Sequence, residues 1–205
     1  CVVFGGSGFL GSHVADCLSD SNFEVLVFDK SPSEWLQPNQ EMIIGDILDL
    51  SCVTAAVEGA DLVYNFAALA DLNAALNQPI LAAQINIEGN INVLEACKEQ
   101  GVNRFIYAST VYVNSREGGF YRCSKIASEA FVEEYFLRYG INFTILRYGS
   151  LYGPRSDHTN GLRKIVQSAT RKFASSKSNK DSGQENFPVD NKKVVYEETY
   201  IPIPT

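Results

Sequence analysis

The chain has 205 residues, 45% of them apolar, and a formal net charge of −7, a composition typical of a soluble globular protein with one core and at most a small appendage. The acidic balance disfavours a nucleic-acid partner, and no apolar stretch approaches the roughly 20 residues that cross a bilayer. The first residues form a strand-like run and not a signal peptide. Two isolated histidines do not suggest a metal site, and five scattered cysteines indicate reduced thiols and a cytoplasmic location.

Strand-like and helical patterns alternate along the chain. Apolar runs predict six strands, over residues 2–4, 24–28, 41–44, 62–67, 104–108 and 142–147. Apolar periodicity predicts helices most clearly over residues 9–19, 80–100 and 121–139. The alternation predicts a Rossmann-type α/β fold, a doubly wound parallel sheet in the strand order 3-2-1-4-5-6 with helices on both faces. Its ligand crevice would lie at the carboxyl ends of strands one and four.

The pattern changes after about Phe173. The segment SSKSNKDSGQEN is polar and predicts a mobile loop or tail, because it offers little apolar surface to bury. The final stretch, VVYEETYIPIPT, alternates weakly and is consistent with an edge strand, since its two prolines argue against a central one.

Three glycines, Gly5, Gly8 and Gly11, follow the first predicted strand and lead into a helical pattern. This strand–turn–helix context is what a dinucleotide-binding fingerprint requires, although the spacing here is Gly-x-x-Gly-x-x-Gly. Gly5 would permit the tight turn, Gly8 would let a phosphate approach the backbone, and Gly11 would let the helix pack close to the strand. The free N–H groups at the helix start would favour an anion. A glycine-rich turn without a ligand is the alternative.

Asp29 ends the second strand-like run, at the position where a dinucleotide-binding fold carries an acidic residue. A carboxylate there can accept hydrogen bonds from an adenosine ribose and would repel a 2′-phosphate. Asp29 therefore favours NAD over NADP, a preference that the neighbouring Lys30 slightly weakens. The alternative is a solvated loop carboxylate.

Tyr121 and Lys125 are four residues apart in a predicted helix, so both side chains would lie on one face. A neighbouring ammonium favours the phenolate, which would let the tyrosine act as an acid or base near neutral pH. Ser109 and Thr110 end the fifth predicted strand, where a hydroxyl could hydrogen-bond a reacting oxygen. Their alternative role is helix or turn capping. Of these two hydroxyls, that of Thr110 is slightly preferred as the one that bonds the reacting oxygen.

Several stretches together resemble the extended short-chain dehydrogenase/reductase family, in its NAD-dependent epimerase/dehydratase branch. They are GGSGFLGSHV, VFDK, GDILD, LVYNFAALAD, NIEGNINVLEACKEQGVNRFIYAST, YRCSK and ILRYGSLYGPR, in order over residues 2–155. The resemblance implies a Rossmann domain with bound NAD and, usually, a nucleotide-sugar substrate. It divides the chain into an NAD-binding domain at 1–155 and a reduced, partly mobile remnant of the substrate region at 156–205.

The resemblance also implies which residues contact the cofactor. The pyrophosphate would be held at the glycine loop and helix start, by Gly5, Gly8, Phe9, Leu10 and Gly11. The adenosine and the groove would be contacted by Asp29, Asp46, Ile47, Ala67 and Ala68. The nicotinamide end would meet Lys125, Tyr148, Gly149 and Ser150. Asn86, inside the helix predicted over 80–100, is a further cofactor candidate, and an equally good interpretation is that it joins backbone groups across a packed face.

Two features depart from the family pattern. The spacer between the Ser/Thr residues and Val111-Tyr112-Val113 is shortened, which leaves the identity of the catalytic hydroxyl open. Only residues 156–205 follow Arg155, where family members carry a larger substrate region, so the chain is either a fragment or a short form.

The preferred function is that of an NAD-dependent enzyme in which Tyr121, as phenolate, takes a proton from a sugar hydroxyl while NAD accepts the hydride. The family's dehydratases often carry an Asp-Glu pair where Val111 and Tyr112 stand here, which favours an epimerase or a simple reductase. The alternatives are a non-catalytic NAD(H)-binding sensor or scaffold, and an inactive fragment of an epimerase. The resemblance also suggests a homodimer through helices 80–100 and 121–139, although packing on the sheet explains their apolar faces equally well.

Overall fold

The structure, a computed structural model, describes residues 1–156 and, beyond them, only Ser168 and Thr170. Residues 1–163 belong to one compact unit, and every element given below lies within it. The polar tail and the C-terminal edge strand predicted from the sequence lie outside the described residues. Within the described part of the chain, no helix is both long enough and apolar enough to cross a membrane.

Six parallel strands form one sheet. They are β1 (Val2–Phe4), β2 (Val25–Asp29), β3 (Gln40–Ile44), β4 (Leu62–Asn65), β5 (Arg104–Thr110) and β6 (Phe143–Tyr148). Their order across the sheet is β3-β2-β1-β4-β5-β6, which confirms the predicted doubly wound arrangement. In register, Phe4 of β1 lies between Phe28 of β2 and Asn65 of β4. The strand order therefore reverses between β1 and β4, at the predicted position of the crevice.

Helices connect most of the strands, while turns alone join β2 to β3. The helices are α1 (Phe9–Asp20), α2 (Leu50–Val57), α3 (Leu72–Asn77), α4 (Pro79–Ala83), α5 (Gly89–Gln100) and α6 (Gly119–Tyr139). A π-helical turn, Gln84–Glu88, joins α4 to α5, and a short 3-10 turn, Val111–Asn114, follows β5. The helix predicted over 80–100 is thus helical throughout but interrupted by the π turn. The short helices α2 and α3 begin at capping aspartates, Asp49 and Asp71, and are too short to give a clear apolar period.

Both faces of the sheet are covered, as the alternation of strands and helices predicts. On one face, Phe4, Phe28 and Phe105 pack with buried residues of α2, α5 and α6, among them Val53, Val93 and Val132. On the other face, Val3, Val25 and Val27 pack against Ala15 and Leu18 of α1. Adjacent residues of one strand, such as Val3 and Phe4, therefore enter opposite layers, which is why β1 is apolar at every position.

Candidate cofactor groove and catalytic rim

The turn after β1 is built by glycines at positions where a side chain would collide with backbone. Gly5 has a φ of +73°, and a Cβ placed there would lie 2.6 Å from the backbone nitrogen of Ala67. A Cβ on Gly11 would lie 2.3 Å from the carbonyl oxygen of Gly5. Only glycine at position 11 therefore lets α1 approach the turn this closely. Gly8 is the N-cap residue of α1 and leaves the helix start uncovered by a side chain.

Asp29, at the end of β2, faces this turn. Its Oδ2 accepts a hydrogen bond from the backbone N–H of Ser7 at 3.0 Å, and its Oδ1 accepts one from the N–H of Ser31 at 3.3 Å. These two bonds fix the carboxylate at the edge of the glycine turn. Each oxygen keeps a further lone pair with which it can accept a donor from a ligand.

A groove of about 320 Å³ opens at the carboxyl ends of β1 to β4. Seven residues named as cofactor contacts from the sequence line it, namely Gly5, Gly8, Asp29, Asp46, Ile47, Ala67 and Ala68. Eight further lining residues were not predicted: Phe28, Lys30, Gly45, Leu48, Phe66, Leu69, Leu81 and Ile85. Most of these directly neighbour a predicted residue at a strand end, so extending each strand-end prediction by one or two residues would have found them. Leu81 and Ile85 reach the groove from the interrupted helix.

The remaining predicted contacts lie outside this groove. Phe9 packs edge-on against the ring of His13, with 5.6 Å between ring centroids, and Leu10 is half-buried in the first turn of α1. Tyr148 is half-buried at the end of β6, opposite Thr110 in the sheet register. Gly149 and Ser150 are exposed in the segment that follows β6.

Asn86 lies in the π-helical turn and is 1% exposed. Its side-chain oxygen accepts the N–H of Leu69 at 2.7 Å, and its amide nitrogen donates to the Oγ of Ser124 at 2.8 Å. Its backbone carbonyl accepts the hydroxyl of Ser128 at 2.7 Å. Asn86 therefore ties the segment after β4 to α6, which is the packing role offered as the alternative to cofactor contact.

Tyr121 and Lys125 lie together on α6, at the carboxyl end of β5. Lys125 is 2% exposed, and its Nζ donates to the carbonyl oxygen of Ala108 at 2.7 Å. The same Nζ lies 4.6 Å from the ring centroid of Tyr107 and 5.8 Å from that of Tyr121. The four-residue spacing thus places both side chains on one helix face, as the sequence predicts.

Burial sets the protonation of this pair. It lowers the pKa of Lys125 to about 7, an effect that the negative charge of Glu129 opposes. Burial also raises the pKa of Tyr121 to about 12, with a smaller contribution from Tyr112. Burial therefore opposes the Tyr121 phenolate that the sequence predicts near neutral pH, and the hydrogen bond of the amine goes to the Ala108 carbonyl. The acid–base role of Tyr121 stays a prediction.

The two candidate hydroxyls at the end of β5 have different surroundings. Ser109 donates its hydroxyl to Oε1 of the buried Glu129. Thr110 caps the following 3-10 turn, because its Oγ1 accepts the N–H of Tyr112 at 3.3 Å. Thr110 therefore takes the capping role considered from the sequence and still has its hydroxyl proton to donate. The proton of Ser109 is already committed to Glu129.

Comparison with known proteins places the chain in a family. The model of the NAD dependent epimerase/dehydratase family matches residues 1–189. The dTDP-D-glucose 4,6-dehydratase of Mus musculus is 31% identical over 191 residues, which cover 80% of this chain and 54% of that protein. A UDP-glucose 4-epimerase of Thermotoga maritima, solved with UDP-glucose, is 28% identical with a TM-score of 0.75, covering 80% of this chain and 60% of that one.

A UDP-glucose 4-epimerase of Thermus thermophilus, solved in complex with NAD, is 29% identical with a TM-score of 0.73 and covers 85% of this chain and 62% of that one. The chain thus spans between about half and two thirds of the length of these relatives, and the matched part carries the sheet, the glycine turn and the Tyr121–Lys125 pair. From its sequence and its fold together, we conclude that the chain belongs to the NAD dependent epimerase/dehydratase family.

Proposed function

We propose that the protein binds NAD in the groove and that Tyr121 and Lys125 catalyse proton transfer at a hydroxyl of a nucleotide-sugar, as an epimerase or a simple reductase. The single observation that carries the proposal is the position of the Tyr121–Lys125 pair at the same edge of the sheet as the glycine turn. A protein that only binds a nucleotide has no need of a buried amine beside a phenol.

The residues of the groove fit NAD. The glycine turn supports a pyrophosphate site, because the space that a Cβ would fill at Gly8 stays open and the N–H groups at the start of α1 can meet negative charge. Asp29 supports a ribose hydroxyl contact and disfavours a 2′-phosphate. When bound, NAD would supply the hydride acceptor and donor.

Tyr121 would be the acid–base group and Lys125 would assist it. Since burial raises the pKa of Tyr121 to about 12, proton abstraction requires added positive charge beside the phenol. Protonated Lys125 would supply part of that charge and would contact the nicotinamide ribose. Thr110 would hydrogen-bond the reacting oxygen, because the Ser109 hydroxyl is donated to Glu129.

The choice between reaction types rests on the residues after β5. Val111 and Tyr112 cannot replace the Asp-Glu pair of the family's dehydratases, because neither carries a carboxyl group. Two relatives, solved with UDP-glucose and with NAD, are UDP-glucose 4-epimerases, which supports an epimerase acting on a nucleotide-sugar. Dehydratases are also among the relatives, so the residues after β5 carry the choice of reaction type.

The first test measures NAD binding by calorimetry and then interconversion of UDP-glucose and UDP-galactose, together with a panel of other nucleotide-sugars. Tyr121→Phe should retain NAD affinity and lose turnover by on the order of 100-fold or more, the usual contribution of a general acid–base group. Tyr139→Phe, which changes an exposed tyrosine at the other end of α6, is the matched control. Equal turnover in the wild type and in Tyr121→Phe would refute the assigned base.

A second candidate function is NAD(H) binding without turnover, as in a sensor. The raised pKa of Tyr121 favours it, because a phenol with a pKa of about 12 is a poor base at neutral pH. NAD binding together with an inactive wild type on every nucleotide-sugar in the panel would support this second function.

We also propose that the protein is cytoplasmic and dimeric. The five cysteines are all free, which suits a reducing compartment. The outer face of α6 exposes Phe131, Phe136 and Leu137, and a second copy could cover them. Light scattering would test the dimer, and a monomer at all concentrations would contradict it.

A further inference from the structure

A buried carboxylate, Glu129, lies one helical turn beyond Lys125 on α6 and is 6% exposed. Arg147 of β6 binds it through two donors, from Nε to Oε1 at 3.1 Å and from Nη2 to Oε2 at 2.7 Å. Ser109 of β5 donates its hydroxyl to the same Oε1. These side chains join three elements directly beside the Tyr121–Lys125 pair, so both carboxylate oxygens are held in place.

The surroundings of Lys125 contain little charge to balance its amine. The hydrogen bond of Nζ goes to a neutral carbonyl, that of Ala108. Among the described residues, Tyr107 from β5 and Tyr121 from α6 present their rings to the amine, and Glu129 lies one turn further along α6. Arg147 of β6 brings a positive charge to the same cluster through its ion pair with Glu129. Both phenols have pKa values raised by burial, so they stay neutral near pH 7. Glu129, paired as a carboxylate with Arg147, is therefore the source of negative charge for Lys125.

We propose that Glu129 is a positioning residue that acts through Lys125 and Ser109. Its fixed carboxylate favours the ammonium form of the buried amine one helical turn away, and it holds the Ser109 hydroxyl on the α6 side of β5. The assignment of proton chemistry to Lys125 rests on the proposed function. The electrostatic link between Glu129 and Lys125 does not.

A purely structural ion pair would behave differently. If Glu129 and Arg147 only joined β6 to α6, exchanging them for a neutral hydrogen-bonded pair would alter stability and leave the titration of Lys125 unchanged. If Glu129 sets the charge of Lys125, removing its carboxylate lowers the pKa of the amine, because a nearby negative charge favours the ammonium form.

The test follows the titration of Lys125 by NMR, using the ¹³Cε and ¹⁵Nζ signals of protein labelled in its lysines. Loss of a signal in Lys125→Arg assigns the resonance. We expect Glu129→Gln to lower the pKa of Lys125 by about one pH unit. The double variant Glu129→Gln/Arg147→Gln also removes the positive charge of Arg147, so its Lys125 pKa should lie between those of Glu129→Gln and the wild type. Glu129→Asp should restore most of the difference.

Glu134→Gln is the matched control, since Glu134 lies on the exposed side of the same helix in an ion pair with Arg138. A lowered pKa in Glu129→Gln, with no change in the control, supports the proposal. An unchanged pKa in Glu129→Gln overturns it, even if the protein becomes less stable; the side chain of Arg147 is 39% exposed, so water can solvate its charge when residue 129 is neutral. If Glu129→Gln does not fold, the double variant is compared with Arg147→Gln, because these two proteins differ only in the carboxylate, and equal pKa values of Lys125 in the two would overturn the proposal.

The titration needs neither cofactor nor substrate. A protein that shows the expected shift but does not bind NAD would refute the proposed function and leave this inference intact. A protein that binds NAD and turns over substrate, but shows no shift, would refute only the role of Glu129.

Discussion

The cofactor groove and the catalytic rim lie at the same edge of the sheet but are built on different principles. The groove consists of glycines and apolar residues at the ends of β1 to β4, and its shape depends on the absence of Cβ atoms at Gly5 and Gly11. The rim between β5 and α6 consists of titratable side chains, above all the buried Lys125 and Glu129 and the half-buried Tyr121. We therefore expect added side-chain volume to impair the groove and its binding of NAD, and changes in charge or pH to impair the proton chemistry of the rim.

The substitution expected to affect the groove most is Gly5→Ala. Its Cβ would meet the backbone of Ala67 at 2.6 Å in addition to the strain of a positive φ. We expect NAD affinity to fall by on the order of 100-fold, and the free energy of unfolding to fall by about 2–3 kcal/mol. Calorimetric titration and urea unfolding measure the two effects.

Gly140→Ala is a matched control for that variant, because Gly140 has the same φ of +73° but no atom lies within 4 Å of the point that its Cβ would occupy. It should show only the backbone strain, about 1–2 kcal/mol, with NAD affinity unchanged. Equal losses of affinity in the two variants would mean that the close approach to Ala67 is not what shapes the groove.

A subtler change to the groove is Asp29→Asn. The amide keeps an oxygen for the Ser7 N–H but loses the charge, so NAD affinity should fall by about 10-fold. The preference for NAD over NADP should also weaken, since a 2′-phosphate would no longer be repelled. Asp20→Asn, at the exposed end of α1, is the control. If Asp29→Asn kept the wild-type preference for NAD over NADP, the proposed contact between Asp29 and the ribose would be wrong.

At the rim, Thr110→Val and Ser109→Ala compare two neighbouring hydroxyls. We expect Thr110→Val to lower kcat by about 10-fold, the value of one hydrogen bond to a charged group. Ser109→Ala should cost less, because its hydroxyl is donated to Glu129. Steady-state kinetics on the nucleotide-sugar found active in the panel measure both. A larger loss in Ser109→Ala would show that Ser109 reorients on binding and is the reacting hydroxyl.

Lys125 should also make the stability of the protein depend on pH. Its folded-state pKa is lowered to about 7, so between about pH 7 and pH 10 the unfolded chain binds more protons than the folded one. Stability from this group therefore rises as the pH rises through that window, and the cost of burying the charge is fully present below pH 7. Lys125→Met should remove this slope.

Urea unfolding of wild type and Lys125→Met at several pH values between about 7 and 9 measures the difference, since all other groups titrate alike in the two proteins. Parallel stability curves would indicate that Lys125 is solvated and that the rim is not the low-dielectric site described here.

The sequence by itself determined the sheet and the glycine turn. Apolar runs and glycine positions are local signals, so the six strands and the close approaches at Gly5 and Gly11 follow from short stretches of chain. The strand order is expected from the general rule for alternating strands and helices and is confirmed by the pairing of distant segments. The four-residue spacing of Tyr121 and Lys125 is likewise local, because one helical turn is enough to bring the two side chains to one face.

Only the tertiary structure decided how the rim is charged and which way its side chains point. Arg147 meets Glu129 from a strand eighteen residues further along the chain, and the Lys125 amine meets the Ala108 carbonyl from another element. Asn86 lies buried in a π turn that no local pattern predicted, and its partners come from the segment after β4 and from α6. Protonation depends on burial and on charges brought close by folding, and hydroxyl direction depends on partners across the sheet. The protonation of the rim and the direction of its hydroxyls are therefore set only when distant parts of the chain pack together.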